Sequence, residues 1–151
     1  MCIRLDLALD LPDVLGDRDE LAQVFQNLLD NGIKYGRAAS EITVAAATGV
    51  RPSYNGDTAE SPFVSVVVRD RGEGIAREHL PRLTERFYRV DTARSREMGG
   101  TGLGLAIVKH ILNRHRGLLD IESTPGTGSV FTVFLRPHPA ATPAPCLSRG
   151  S

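Results

Sequence analysis

The segment FVSVVVRD, residues 63–70, is the strongest strand signal in the chain, a β-branched and aromatic run that stops on the turn letters RGEG. What flanks it constrains the fold. Upstream, IRLDLAL at residues 3–9 alternates apolar and polar side chains with period two, LPD interrupts it, and a helical period runs from 18 to 35. Asp17, three residues before Glu20, gives that helix a capping-box-like start. A second strand is expected over EITVAAA, 41–47, and the turn-rich residues 48–62 (TGVRPSYNGDTAESP) read as an exposed hairpin extension. Downstream, residues 77–88 should hold one or two short helices broken at Pro81, followed by a polar segment, 91–98, expected to be mobile. A second long helix covers about 103–115, with Leu103, Ile107 and Ile111 in one stripe, Val108 and Leu112 beside it, and Gly117 ending it. Residues 118–122 and 129–135 form strands of a hairpin around TPGTG. Elements that alternate and then close in a hairpin imply a mixed sheet with helices on one face.

With 151 residues, one domain can bury its own core without disulfides or metals. Eighteen basic residues balance eighteen acidic ones without blocks of like charge, which excludes an electrostatic footprint for nucleic acid. Cys2 and Cys146 have no CxxC spacing and no histidines placed to share a metal. No apolar run reaches the roughly 20 residues of a membrane span, so the domain is expected to be cytoplasmic. The Pro/Ala-rich stretch 137–151 reads as a disordered tail behind a folded domain, 1–136.

Three constellations carry chemistry. On the first helix, Asn27, Asn31 and Lys34 fall within roughly 60° of one another, with Gln23 and Asp30 beside them. An asparagine oxygen is a hard ligand suited to Mg²⁺, and a lysine one turn on supplies a compact charge for phosphates. Taken alone, the same letters describe a solvated helix face. In DRGEG, 70–74, the carboxylate of Asp70 can accept a hydrogen bond from an exocyclic amine, while Gly72 and Gly74 permit close backbone approach; an ordinary strand-ending turn has the same letters. The third is GGTGLGLAIVKH, 99–110. A Walker loop needs Lys and Ser or Thr after its final Gly, but Leu105 and Ala106 follow Gly104. A dinucleotide fingerprint would follow the first strand of a βαβ unit, and this one follows a polar loop late in the chain. What survives is a helix start whose free N–H groups, around residues 102–105, can face an anion.

Together, NLLDNGIKY, DRGEG, ERFYRVD and GGTGLGL, with GTGS in the last hairpin, resemble the N, G1, F and G2 boxes of the catalytic and ATP-binding domain of sensor histidine kinases. The wording LTERFYRVDTARS and GLAIVKHILNRHRG is most similar to the phosphate-regulon sensor kinases. The resemblance implies the Bergerat α/β two-layer sandwich of the gyrase, histidine kinase and chaperone ATPases, a mixed sheet of about five strands against three helices. It implies ATP and Mg²⁺ as cofactors, with Asn31 as metal ligand, Asn27 supporting it, and Lys34 and Tyr35 reaching the phosphates. Asp70 would bind the adenine amine, and Gly72 and Gly74 would admit the base. Arg89 would reach the γ-phosphate, so that Lys34 and Arg89 are the catalytic cations. The backbone of Gly100, Thr101, Gly102, Leu103, Gly104 and Leu105 would hold the phosphate chain, with 91–100 as the ATP lid. Ser129 stands where the family often has Thr near the base, and Phe87 is the F-box aromatic or a core residue. Gly32 replaces the usual N-box Ala, Gly36 replaces a common Thr or Ser, and the 48–62 loop is longer than the family requires.

The implied reaction is transfer of the ATP γ-phosphoryl to a histidine, catalysed mostly by positioning and charge neutralisation. None of His79, His110, His115 and His138 has the acceptor's carboxylate context, so the acceptor is expected on a separate dimerisation domain, with relay to a response regulator. The isolated domain would be monomeric and the full-length kinase homodimeric and anchored at the inner membrane. The related ATPases place a water-activating Glu where Asn27 stands, and an amide is no general base. A nucleotide-binding regulatory module is the alternative from another class.

Overall fold

The computed structural model of the chain describes residues 2–8, 11, 13–35, 40–52, 60–86 and 103–137. Five strands form one sheet: β1 (Cys2–Leu7), β2 (Glu41–Pro52), β3 (Glu60–Asp70), β4 (Leu118–Thr124) and β5 (Gly128–Leu135), in the spatial order β1-β2-β3-β5-β4. The first pair is parallel and the other three are antiparallel, so the sheet is mixed, as expected. Two α-helices, α1 (Arg18–Tyr35) and α2 (Gly104–Arg114), and a 3₁₀ helix, η1 (Arg77–Arg82), complete the described elements.

Period-two alternation sorts the sheet's side chains. Ile42 on β2, Val68 on β3 and Phe131, Val133 and Leu135 on β5 face the helices, where they meet Val24 and Leu28 of α1 and Val108, Ile111 and Leu112 of α2. The α2 stripe is therefore rotated from the expected one: Ile107 is exposed, and Val108, Ile111 and Leu112 are buried. A buried face built on i, i+3 and i+4 wins over one built on i, i+4 and i+8 because it stays centred on the sheet.

Three boundaries differ from the sequence expectation. The β2–β3 ladder continues through Pro52↔Glu60, five residues beyond the expected end of β2 at Ala47. Gly49 and Pro52 read as turn formers, but an antiparallel partner carries the backbone past them. Pro81 lies inside the six-residue η1 without breaking it, because so short a 3₁₀ helix loses only one donor there. At the end of α2, Arg116 takes the left-handed conformation (φ 57°) that Gly117 was expected to supply. Its N–H donates to Asn113 O at 3.2 Å and that of Gly117 to Leu112 O at 2.8 Å, the paired bonds of a Schellman end. Glycine is needed at 117 because a Cβ would meet Phe134 O at 2.6 Å.

The helices run antiparallel, tied at both ends. Asp17 Oδ1 accepts from the N–H groups of Asp19 and Glu20 at 2.9 and 3.0 Å, the N-cap expected from its spacing. The Asp17 N–H donates to His115 Nε2 at 2.9 Å, and His115 Nδ1 donates to Ile111 O at 2.8 Å. Only the neutral Nδ1–H tautomer makes both bonds, which gives His115 a structural role. An Arg114–Glu20 ion pair lies beside it. Ahead of α1, Val14 forms a β-bridge with Pro137, which ties that residue to the folded part.

Gly32 packs α1 onto the sheet: a Cβ there would lie 3.0 Å from Ile42 Cδ1 and 3.8 Å from Asp70 Cβ. Gly32→Ala gains about 1 kcal/mol of helix propensity and asks the terminal methyl of Ile42 to yield by a few tenths of an ångström. The substitution is expected to stabilise the fold by up to about 1 kcal/mol in urea unfolding, whereas Gly32→Val, with two more methyls against Ile42, should destabilise it by about 1–3 kcal/mol.

Candidate active site

Asn27, Asn31 and Lys34 share one face of α1, and the structure gives the two asparagines different tasks. Gln23 Nε2 donates to Asn27 Oδ1 at 2.8 Å, and Asn27 Nδ2 donates to the carbonyl of Gly104 at 3.2 Å. That amide holds the first residue of α2 against the middle of α1. Asn31, half-buried one turn later, has no side-chain partner among the described residues, so its amide oxygen is free for a ligand. Lys34 is exposed. Tyr35 closes α1, and its side chain is outside the described atoms.

The start of α2 has the local structure of an anion site. Leu103, its N-cap, provides no side-chain cap, and a Cβ built on Gly104 meets nothing within 4 Å. The first N–H groups of an α-helix have no partner within the helix, so those of Gly104 and Leu105 are the donors an anion could meet here. Gly100, Thr101 and Gly102 lie outside the described residues, as do Phe87, Arg89, the 91–98 segment and the rest of the expected lid.

Asp70 ends β3 at 8% exposure, beside Gly32 of α1. Burial pushes its carboxyl above the ordinary carboxylate range, and hydrogen bonds from the Gly72 and Ser129 backbones pull the other way. The Gly72 N–H donates to Asp70 Oδ1 at 2.9 Å. Gly72 is buried with it. The glycine requirement at 74 has an internal cause: φ is +78° and a Cβ would collide with Thr124 O of β4.

The β4–β5 hairpin supplies the wall beside Asp70. Ser129 pairs with Asp70 across β3 and β5, and its hydroxyl lies 2.8 Å from Ser123 Oγ. Ser123 also accepts the Ile75 N–H at 2.7 Å and donates to Gly128 O at 3.1 Å, while the Gly126 N–H donates to Glu73 O at 2.7 Å. Ser123 thus fastens the DRGEG turn to the hairpin, a role absent from the sequence reading. Its signal was the alternation Leu119, Ile121, Ser123, which sets it on the same sheet face as Ser129.

The structure thus brings Asn27, Asn31, Asp70, Gly72, Leu103, Gly104 and Ser129 to one end of the helical layer. Asn27 reaches Gly104 directly, and Gly32, next to Asn31, lies against Asp70. Among the described residues no three of His, Cys, Asp and Glu gather as a metal cage. A magnesium ion needs no such cage: one amide oxygen, waters and phosphate oxygens complete its shell, and Asn31 fits that part. No helix among the described residues is long and apolar enough to cross a membrane.

Known proteins share both the sequence and the fold. Residues 16–139 match the family described as histidine kinase-, DNA gyrase B-, and HSP90-like ATPase. The phosphate regulon sensor protein PhoR of Pseudomonas aeruginosa is 45% identical over 126 residues, 83% of this chain and 26% of that protein. The sensor-like histidine kinase SenX3 of Mycolicibacterium smegmatis is 42% identical over 126 residues, 83% of this chain and 30% of that protein. The chain thus spans about a quarter to a third of these relatives. Among solved structures, the mycobacterial sensor histidine kinase MprB superposes with a TM-score of 0.68 at 27% identity, over 90% of this chain and 84% of that one. Full-length ShkA in complex with AMPPNP does so with a TM-score of 0.72 at 27% identity, over 93% of this chain and 26% of that one. With its five-stranded mixed sheet, its N-box helix and its uncapped G2 helix, the chain belongs to the histidine kinase-, DNA gyrase B-, and HSP90-like ATPase family and is built as a sensor histidine kinase catalytic domain.

Proposed function

We propose that this domain binds Mg-ATP and transfers the γ-phosphoryl group to a histidine on the dimerisation domain of the same kinase, for relay to a response regulator in phosphate-responsive signalling. One observation carries the reading: a free amide oxygen on Asn31, a buried acceptor at Asp70 and an uncapped helix start at Gly104 lie at the same end of the fold. The relative named for the phosphate regulon supports the finer assignment.

In this reading the Asp70 carboxylate accepts the adenine amine, with Ser129 beside it and Gly72 leaving room for the ring. Asn31 and Lys34 meet the phosphates from α1, and the N–H groups of Leu103, Gly104 and Leu105 meet them from α2, joined by Gly100, Thr101 and Gly102. Arg89 supplies a second cation at the γ-phosphate, and Tyr35 adds a hydroxyl at the end of α1. Asn31 would hold Mg²⁺, which when bound would supply charge neutralisation for the phosphates. The side chain at 27 is an amide engaged as a tie between helices, so it offers no general base for water. The full-length kinase would be a membrane-anchored homodimer with this domain in the cytoplasm.

Mixing the chain with Mg²⁺, γ-labelled ATP and a separately made dimerisation domain tests transfer. Acid-labile label on the partner is the expected result. Tight nucleotide binding with no transfer would favour the regulatory module instead, and phosphate release without the partner would favour an ATPase. Asn31→Ala should lower Mg-nucleotide affinity about tenfold or more and shrink the gain in affinity that Mg²⁺ gives the wild type, with the fold intact by circular dichroism.

Asp70→Asn tests the base contact and has a pH signature. It should weaken ATP binding by about 10–100-fold, the loss of one charge-assisted bond, and narrow the preference for ATP over GTP, whose base carries a carbonyl in place of the amine. In the wild type the raised carboxyl binds its proton more tightly folded than unfolded. Its contribution to stability is therefore present below the unfolded pKa and is lost as pH rises through the folded one. Urea unfolding of the ligand-free protein across that acidic window should show this decline, and the Asn variant should lack it.

A further inference from the structure

We infer that the outer edge of β1 is a homodimer interface, an antiparallel pairing of β1 with the same strand of a second copy. The inference rests on the strand alone and holds whether or not the domain transfers phosphate. β1 lies at one end of the sheet order and, among the described residues, pairs only with β2. The Ala8 N–H donates to Ala46 O at 3.0 Å, which points the backbone groups of the even-numbered residues at β2. Those of Ile3, Leu5 and Leu7 consequently point out of the sheet. The same three residues carry apolar side chains on the face shared with Ile42, Val44 and Ala46, and are 48%, 64% and 53% exposed. Edge strands are ordinarily blunted by charge, proline or a bulge, and none of these interrupts the outward-bonding positions.

What selects a second copy as the occupant is the charge pattern on the opposite face, where Arg4 and Asp6 are exposed. With Leu5 on a twofold axis, Ile3 faces Leu7 of the partner subunit, Leu5 faces the partner's Leu5, and Arg4 faces Asp6 of the partner subunit. The outward backbone groups of Ile3, Leu5 and Leu7 then form the hydrogen-bonded pairs of an antiparallel ladder. Arg4 and the partner's Asp6 occupy a non-hydrogen-bonded pair, where side chains approach more closely. Shifting the register by two residues sets Arg4 against the partner's Arg4, or Asp6 against the partner's Asp6. A parallel pairing does both. Only one register therefore joins the apolar row and satisfies the charges, and the resulting interface is isologous, as a closed dimer requires. Two sheets would join into one, against the sequence expectation of an isolated monomer.

Charge swaps test this register. Sedimentation of the 151-residue chain over a concentration series should show a monomer–dimer equilibrium. Arg4→Asp alone and Asp6→Arg alone each turn both cross-strand pairs repulsive, and each should weaken dimerisation at least about tenfold. Mixing the two variants in equal amounts sets an acidic side chain opposite a basic one in both cross-strand pairs and should restore a heterodimer of wild-type affinity. That recovery also shows that both variants are folded. A wild-type chain that stays monomeric at millimolar concentration, a dimer indifferent to either swap, or a mixture that does not recover would each overturn the proposal.

Discussion

The hydrogen bond from Asn27 to the carbonyl of Gly104 joins two helices that are far apart in sequence, and the site depends on it. It fixes the start of α2 against the middle of α1, so the uncapped N–H groups of one helix and the free amide of Asn31 on the other lie at one end of the fold. At the opposite end of the same helix pair, His115 accepts the Asp17 N–H and Arg114 pairs with Glu20. With a tie at each end and Val24, Leu28, Val108 and Leu112 buried between, neither helix can slide by a turn without breaking a polar bond. Positioning carries most of a phosphoryl transfer, so for the proposed reaction a rigid pair of helices would be the relevant scaffold.

Asp70 is held from a second direction. Ser123 links Ile75, Gly128 and Ser129, so the turn after β3 cannot move apart from the β4–β5 hairpin. Glycines at 74 and 128 allow this closeness, since a Cβ on either would run into backbone oxygen. At Gly32 the contact is with side chains instead: a Cβ there would lie 3.0 Å from Ile42 Cδ1 and 3.8 Å from Asp70 Cβ. The adenine and metal elements of the proposed site are therefore coupled through contacts of one residue's width.

Much of this was legible in the sequence. Periodicity located every described element, and turn chemistry ruled out two phosphate loops. The parts that were not legible have a common character: they depend on backbone atoms distant in sequence. The partner of Asn27 is a carbonyl 77 positions away, which no helical wheel shows. Ser129 read as a base contact because its immediate bond to Ser123 exists only once β4 and β5 are in register. Likewise the turn letters after Ala47 ended β2 by propensity, and pairing with the facing strand carried it on to Pro52↔Glu60. The rotation of the α2 stripe away from Ile107 was decided by the sheet beneath it. Arg89, Tyr35 and residues 100–102 stand on their place in the motifs, since the described atoms do not include them.

A buried carboxylate costs stability in the free protein, and the raised proton affinity of Asp70 is the measure of that cost. Two backbone N–H groups reduce it without removing it, because an ionised carboxylate offers about four acceptor positions. In the proposed site, the remaining capacity would make the residue selective. A ligand that donates an N–H there relieves an unfavourable state already present in the protein, whereas one presenting a carbonyl adds a second acceptor against it. Discrimination by a donor-seeking buried acceptor is steeper than discrimination by shape, since the wrong base leaves the charge unpaired and out of water. If Asp70 meets the base as proposed, the same burial that weakens the free fold at neutral pH would be the source of base preference, and a neutral amide at this position would exchange selectivity for stability.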